Sequence, residues 1–571
     1  MIVPQLVIVP SLGTQEKYLQ TKNTISSKSK KKSITVSKHY IRLVENNGSK
    51  RRSNKSLATI FFKSLDDFIS TYMDLPLRPC IDPMHVLSGN FAPVDELPPT
   101  PCHVDEGSLP SALDGVYIRN GPNPQFIPHG PFHVFDGDGM LHSIRISNGE
   151  AVFCSRYVKT CKYMAEQKMG YPFIVSPFSS FNGTAAAIAR FVLGVARKLA
   201  GHFDPMVNGF GTANTSLAMF GGMLFALCES DLPYQVRVTS DADIITVSRH
   251  DLYTNDPTLR MTAHPKIDSE TGEVFAFRCD IVPPFLTFFR VDTSGRKGPD
   301  VPISSLERAL VVHDFALSKN FIIFQDTQVG INLMDMMRGK SVMVFKPDKV
   351  PRLGILPRYA HDETELVWID APGFNMLHSI NAWEEEFGKK VVILAPNLLS
   401  IEQGLEDTSL YHSVIEKLTI DVETKQVVRR SLCNENLEFG VINPAYAGKK
   451  NRYVYAGVAA QLPRVRGVMK LDVSRLTADG GDCTVASRLY GLGWYGGEAC
   501  FVPREPDNPA AEEDDGFLVT YVHNEENEES WFIVMNAKSP TLDIVARVRL
   551  PGRVPYGFHG LFVREADRKL T

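Results

Sequence analysis

No run of roughly 18–20 continuous apolar residues occurs in the 571-residue chain, so no segment qualifies as a membrane-spanning helix. An excess of charge is missing too. With 61 basic and 65 acidic residues the net charge is −4, which offers nucleic acid no basic field, and no nucleic-acid partner is expected. None of the nine cysteines (80, 102, 154, 161, 228, 279, 433, 483 and 500) forms a C-x-x-C pair. That argues against a disulfide framework or a zinc site and for reduced thiols in a reducing compartment. Acidic residues are nearly absent from the first 56 positions, where Glu16 is the only one before Glu45. Pro4 and Pro10 break the apolar start, which excludes a secretory signal. The stretch TKNTISSKSKKKSITVSK is hydroxyl-rich, basic and acid-poor, the composition of an organelle transit peptide. Residues 1–56 are therefore read as a leader, against the alternative of a disordered tail with no address.

Helices that alternate with strands are also missing, which excludes a doubly wound sheet. Instead, short β-branched and aromatic runs follow one another between turn signals: GVYIRNG, GEVFAFRCD, FLTFFRVDTSG, FIIFQDT, ELVWIDAP, KKVVILAP, NRYVYAG and GFLVTYVHNEENEESWFIVMNA. The predicted class is all-β. A β-propeller closes so many short strands with few exposed edges, and about 70 residues per blade gives seven blades. No clean repeat period marks them.

Two stretches read as helices. In 57–75, Leu57, Ile60, Phe61, Leu65, Phe68, Ile69 and Tyr72 recur at helical spacing before Pro76. In 185–203, Ile188, Phe191, Val192, Val195 and Leu199 share a face near Arg190, Arg197 and Lys198. An apolar stripe with a basic flank suits a helix lying in a membrane interface, and packing on the core is the alternative. The expected organisation is a leader over 1–56, an amphipathic helix over 57–75, and a propeller over 76–571 whose long insertions, 185–203 among them, serve as caps. FDGDGMLH, residues 135–142, lacks the ligand spacing of a calcium loop and reads as a glycine-rich turn.

Of fifteen histidines, His39, His129, His361 and His523 read as exposed or loop residues. Four stand differently: His264 in MTAHPKID, His313 in ALVVHDFAL, His378 in GFNMLHSINAW and His559 in YGFHGLF. Each ends an apolar run just before a polar residue or turn, where an inner strand of a propeller meets the axis. A buried imidazole must hydrogen-bond or bind something. No local metal motif has separations of 49, 65 and 181 residues, but strands of different blades converge on one axis. A satisfied core histidine remains the alternative at each position. Glu229 in LFALCESDLPY, Glu438 in NLEFGVINP and Glu498 in YGGEACFVP have apolar or glycine-rich neighbours that make a bare carboxylate costly. A glutamate accepting an N–H from a metal-bound imidazole would be stabilised there; a buried ion pair with arginine is the alternative.

Together YIRNGPNP, FDGDGMLHS, ESDLPY, MTAHPKIDSETGE, HDFALSKNFIIFQD, PGFNMLHSINAWEEE, YGGEACFVPREP and RVPYGFHGLFV resemble the carotenoid oxygenase family over residues 76–571. VPPFLTFFRVD and AKSPTLDIVARVRLP are similar to the fourth subfamily of plant carotenoid cleavage dioxygenases. The resemblance implies a seven-bladed propeller with a helical cap. It implies one Fe(2+) held by His264, His313, His378 and His559, with Glu229, Glu438 and Glu498 bracing three of them. It implies molecular oxygen as co-substrate and cleavage of a carotenoid or apocarotenoid at the 9,10 and 9′,10′ double bonds, releasing ionone-type products. The alternatives are 7,8 (7′,8′) cleavage of carotenoids such as zeaxanthin, epoxycarotenoid cleavage, an ester hydrolase resembling the retinoid isomerase, and a binding protein without activity. The substrate demands an apolar tunnel, for which Phe285, Phe288, Phe289, Leu377 and Phe439 are candidates because they neighbour the histidine and glutamate motifs. A monomer in the plastid, docked peripherally on a membrane or plastoglobule, is expected.

Overall fold

The alternation that marks these runs as strands also sets their pairing. Lys390–Leu398 lies antiparallel to Ser413–Asp421 in unbroken register, from Lys390 opposite Asp421 to Leu398 opposite Ser413. Gly115–Pro122 pairs in the same continuous way with Gly139–Ser147. The computed structural model describes residues 57–568 except 177, 180, 181, 342, 400–409, 462 and 479, so the expected leader lies outside the described residues.

Four antiparallel sheets have four strands each, beginning with Ser216–Phe220, Lys266–Ile267, Ala316–Leu317 and Asn381–Glu385. A fourteen-stranded sheet contains three more sets. One begins with Leu437–Val441 and one with Trp494–Gly496; the third joins the C-terminal strand Gly560–Arg564 to Gly115–Pro122, Gly139–Ser147 and Glu150–Tyr157. The chain's last strand thus completes its first set, with Arg564 opposite Gly115. Leu97–Gly107 bridges that set to the one before it, pairing with both Ile544–Arg549 and Glu150–Tyr157.

The core lies between sets. Leu353, Ile355, Ile393 and Leu418 form one apolar cluster, Phe277, Phe288, Phe315 and Phe324 another, and Tyr117, Phe153, Tyr521 and Phe532 close the ring where the last set meets the first. Each large apolar side chain buried this way contributes roughly 1.5–3 kcal/mol before entropy is counted. Seven such clusters, one at each junction of neighbouring sets, make this a propeller of seven sets.

The helices Leu57–Tyr72 and Thr184–Leu199 pack together through Phe62, Ile69, Ala186 and Leu193. Phe61 and Phe191 face outward and are 61% and 72% exposed, with Leu57, Tyr72, Val192 and Leu199 beside them. The basic flank read from the sequence does not share that face. Arg190 pairs with Asp74 at 2.7 Å and Arg197 with Asp66, so both guanidiniums tie one helix to the other. Two long side chains are drawn inward by carboxylates that a one-helix pattern does not show. Lys198 alone of the three is half-exposed, 3.0 Å from Asp204.

Candidate metal centre

Each of the four histidines stands just ahead of the first strand of a set: His264 before Lys266–Ile267, His313 before Ala316–Leu317, His378 before Asn381–Glu385 and His559 before Gly560–Arg564. The three glutamates come from the other three sets. Glu229 follows the strand Met223–Leu227, Glu438 lies in Leu437–Val441, and Glu498 follows Trp494–Gly496. Every set therefore sends one residue to the axis.

One ring nitrogen from each histidine lies within 4.8 Å of the others. His264 and His313 face each other through Nε2 atoms 2.9 Å apart, and the ring centroids of His264 and His559 are 4.6 Å apart. Three rings turn Nδ1 toward a carboxylate. His313 Nδ1 is 2.6 Å from Glu229 Oε1, His378 Nδ1 is 3.2 Å from Glu438 Oε1, and His559 Nδ1 is 3.0 Å from Glu498 Oε1. Such a contact keeps the proton on Nδ1 and leaves the Nε2 lone pair free to bind a cation. Nε2 of His378 is buried and has no hydrogen-bond partner, which a metal ion would supply.

The electrostatics agree. Burial, then the neighbouring imidazoles, hold His264 well below the ordinary histidine range, which keeps it neutral and able to ligate. Burial would raise the Glu229 and Glu438 carboxyls, yet the facing His313 and His378 rings outweigh it and hold both below their usual range. The donor set, four imidazoles with second carboxylates behind three of them, fits a divalent iron ion.

Three supporting residues escape a reading of the sequence. Tyr411 donates its hydroxyl to Glu438 Oε1 at 2.8 Å, and the Gly560 amide donates to Glu498 Oε2 at 3.0 Å. Buried Asp314 accepts from the Ser379 amide at 2.7 Å and pairs with Lys266 Nζ at 2.7 Å, so it ties the three segments carrying His264, His313 and His378. The position of Asp314, directly after His313 in an apolar run, was a usable signal; for Tyr411 there was none.

The cluster opens into a cavity of about 1340 Å³ that runs to the two packed helices, where Phe191 and Val195 line it. Leu377 and Phe439 also line it, as do Phe135, Phe178 and Phe558. Phe439 has φ +52°, uncommon for a residue with a side chain, and its ring centroid lies 5.8 Å from those of both His378 and His559. Phe285, Phe288 and Phe289 are elsewhere. Their strand, Leu286–Val291, is two strands out from Lys266–Ile267, so Phe288 and Phe289 alternate into the two neighbouring interfaces, while Phe285 packs against the Phe288 cluster. His523 is a second correction. Its polar context suggested an exposed or loop residue, but it lies near the end of the buried strand Gly516–Asn524, where burial pushes it down to about 4 and Nδ1 lies 2.9 Å from Ser530 Oγ.

An all-β propeller whose axis carries four histidines and three bracing glutamates defines a class of metal-centre protein. The profile of the RPE65 family (retinal pigment epithelial membrane protein) matches residues 91–564. The chain is 52% identical over 568 residues to "Probable carotenoid cleavage dioxygenase 4, chloroplastic" of Arabidopsis thaliana, covering 99% of this chain and 95% of that protein. It is 51% identical over 520 residues to "9-cis-epoxycarotenoid dioxygenase NCED1, chloroplastic" of Oryza sativa subsp. japonica, covering 90% and 81%. The crystal structure of cobalt-substituted Synechocystis ACO shares the fold with a TM-score of 0.69 at 24% identity, covering 85% of this chain and 99% of that one. The chain belongs to the carotenoid oxygenase family, the family of RPE65.

Proposed function

We propose that this protein is a carotenoid cleavage dioxygenase of the plastid, with one Fe(2+) per chain held by His264, His313, His378 and His559. The observation that carries the reading is the four-histidine cluster at the inner end of a long cavity walled by aromatic rings. Fe(2+) held by these four histidines would supply the activation of molecular oxygen for attack on one double bond of the polyene. Both oxygen atoms enter the products, one on each new carbonyl, so no proton has to be delivered and no acid–base pair is required. Glu229, Glu438 and Glu498 hold the protons on Nδ1 of their histidines and fix the ring orientations. Phe439 and Phe558 flank the cluster and keep water away from it. The aromatic walls take a rigid apolar rod, and its depth of insertion selects the bond. Residues 57–75 and 76–571 act as one docking and catalytic body, and residues 1–56 as the import leader. Among the described residues no helix is long and apolar enough to cross a membrane. The exposed apolar side chains of Leu57, Phe61, Phe191 and Leu199 support peripheral docking on a lipid surface, from which a monomer would draw the substrate.

The test is oxygen uptake and product chromatography with iron-loaded protein on β-carotene and zeaxanthin. Ionone-type ketones from 9,10 and 9′,10′ cleavage are expected. Coloured aldehydes from 7,8 cleavage would move the bond, and turnover of only a 9-cis-epoxycarotenoid would move the substrate. Tight binding without oxygen uptake would make the protein a carotenoid carrier.

A further inference from the structure

The glycine-rich turn FDGDGM forms one end of a buried charged network. Lys162 Nζ lies 3.0 Å from Asp138 Oδ1 and 2.9 Å from Glu166 Oε2, and all three side chains are at most 7% exposed. Burial works against the ammonium, and the two carboxylates outweigh it and hold it charged. Glu166 Oε1 accepts from the Phe173 amide at 3.0 Å and the Ile174 amide at 2.9 Å. Asp136 accepts from the Phe178 amide at 3.3 Å and from Ser179 Oγ at 2.5 Å. Asn214 holds the turn itself through the carbonyls of Phe135 and Gly137, at 2.8 and 2.7 Å.

All four of these donors belong to the stretch 173–179, whose described residues form neither helix nor strand. That stretch is a wall of the cavity, presenting Phe173, Ile174, Val175 and Phe178 to it. Phe178 stacks on His133 with centroids 5.3 Å apart and meets Phe135 edge-on at 5.4 Å; Phe135 meets Phe558 edge-on at 5.4 Å, and Phe558 precedes His559. Three carboxylates and one ammonium in the interior are poor stabilisers, because desolvation offsets their attraction. Their effect is on conformation. An irregular segment with four anchored donors has one position, and a hydrophobic replacement would leave it several.

We propose that Lys162, Asp138, Glu166 and Asp136 are positioning residues that fix the 173–179 wall, and so set how far a rod-like polyene slides past the histidine cluster and which double bond is cut. This rests on reading the cavity as the polyene site. A misplacement of about 1 Å far from the chemistry costs up to ~100-fold in rate for the correct bond.

The test compares Glu166→Ala, which removes the oxygen that accepts from both amides, with Glu166→Gln, which keeps that oxygen and loses the charge facing Lys162, in the full iron-loaded chain. The alanine variant is expected to keep its iron, shift KM, lose up to ~100-fold in rate at the main bond, and alter the ratio of cleavage products. Amide hydrogen exchange in 173–179 is expected to speed up, and the glutamine variant to fall between wild type and alanine on each readout. Wild-type exchange, KM and product ratio in the alanine variant would overturn the proposal, and so would loss of iron with unchanged exchange. If the alanine chain does not fold, the glutamine chain decides: shifted exchange and product ratio support the proposal, and wild-type values overturn it. Exchange in 173–179 needs no substrate, whereas failure of the carotenoid reading would show as absent cleavage in the wild type.

Discussion

At the residue scale, the four histidines and three glutamates stood out because each is a costly residue in an apolar setting and cost implies a partner, but that setting alone left a satisfied core histidine or a buried ion pair open, and only the family resemblance joined them into one site. Their pairing was not legible. Nothing in the spacing tells that Glu498 faces His559 while Glu438 faces His378, since that depends on which sets are neighbours around the axis. The tunnel residues show the opposite failure. Phe288 and Phe289 neighbour a histidine motif in the chain, but strand alternation turns them into the core. The pairing makes graded losses predictable. His559→Ala removes one of four donors and should lose most bound iron and essentially all cleavage, read by metal analysis and oxygen uptake; full iron and wild-type turnover would remove His559 from the ligand set. Glu438→Gln keeps the shape but not the charge behind His378, and a loss of about 10–100-fold in iron affinity or activity is expected. Tyr411→Phe removes one hydrogen bond to the same carboxylate and should cost less than the glutamine change. Equal losses from the two would mean that Glu438 acts through Tyr411 and not through the imidazole.

At the scale of elements, the strands and both long helices were readable from period and composition, whereas the irregular wall at 173–179 was not. Its amides end on carboxylates contributed by other segments, and a contact between distant stretches leaves no local pattern. Those anchors carry a pH signature. Burial pushes Asp136 up to about 6, against the hydrogen bonds of Ser179 and Phe178 that lower it. A carboxyl whose folded value is raised lends stability that is fully present below the ordinary aspartate value of 3.8 and is lost as pH rises through about 6. Asp136→Asn has nothing to titrate, and its amide oxygen still accepts from the Phe178 amide. Between pH 4 and 7 the wild type should therefore lose about 1–3 kcal/mol relative to the asparagine variant. Thermal melts across that range check it. Parallel stability profiles would mean that the carboxylate is solvated and ionised throughout, with no burial penalty to relieve.

At the scale of the whole molecule, the cavity joins the histidine cluster to the two packed helices, where Phe191 lines it and Phe61 is exposed on the other helix. The sequence showed the apolar stripe but assigned Arg190 and Arg197 to the lipid side. Their ion pairs with Asp74 and Asp66 instead hold the two helices together, so the proposed lipid docking would depend on apolar area more than on anionic lipid. Phe61→Asp with Phe191→Asp should shift the protein from vesicles to the soluble fraction, and raising salt should release the wild type only weakly. The fold should survive, because both side chains point away from the Phe62–Leu193 contact. Cleavage of carotenoid held in vesicles should slow more than cleavage of detergent-dispersed carotenoid, since transfer from lipid is impaired while the histidine cluster is untouched. Equal slowing on both substrates, with vesicle binding unchanged, would take the two phenylalanines out of the lipid contact and leave it to another surface.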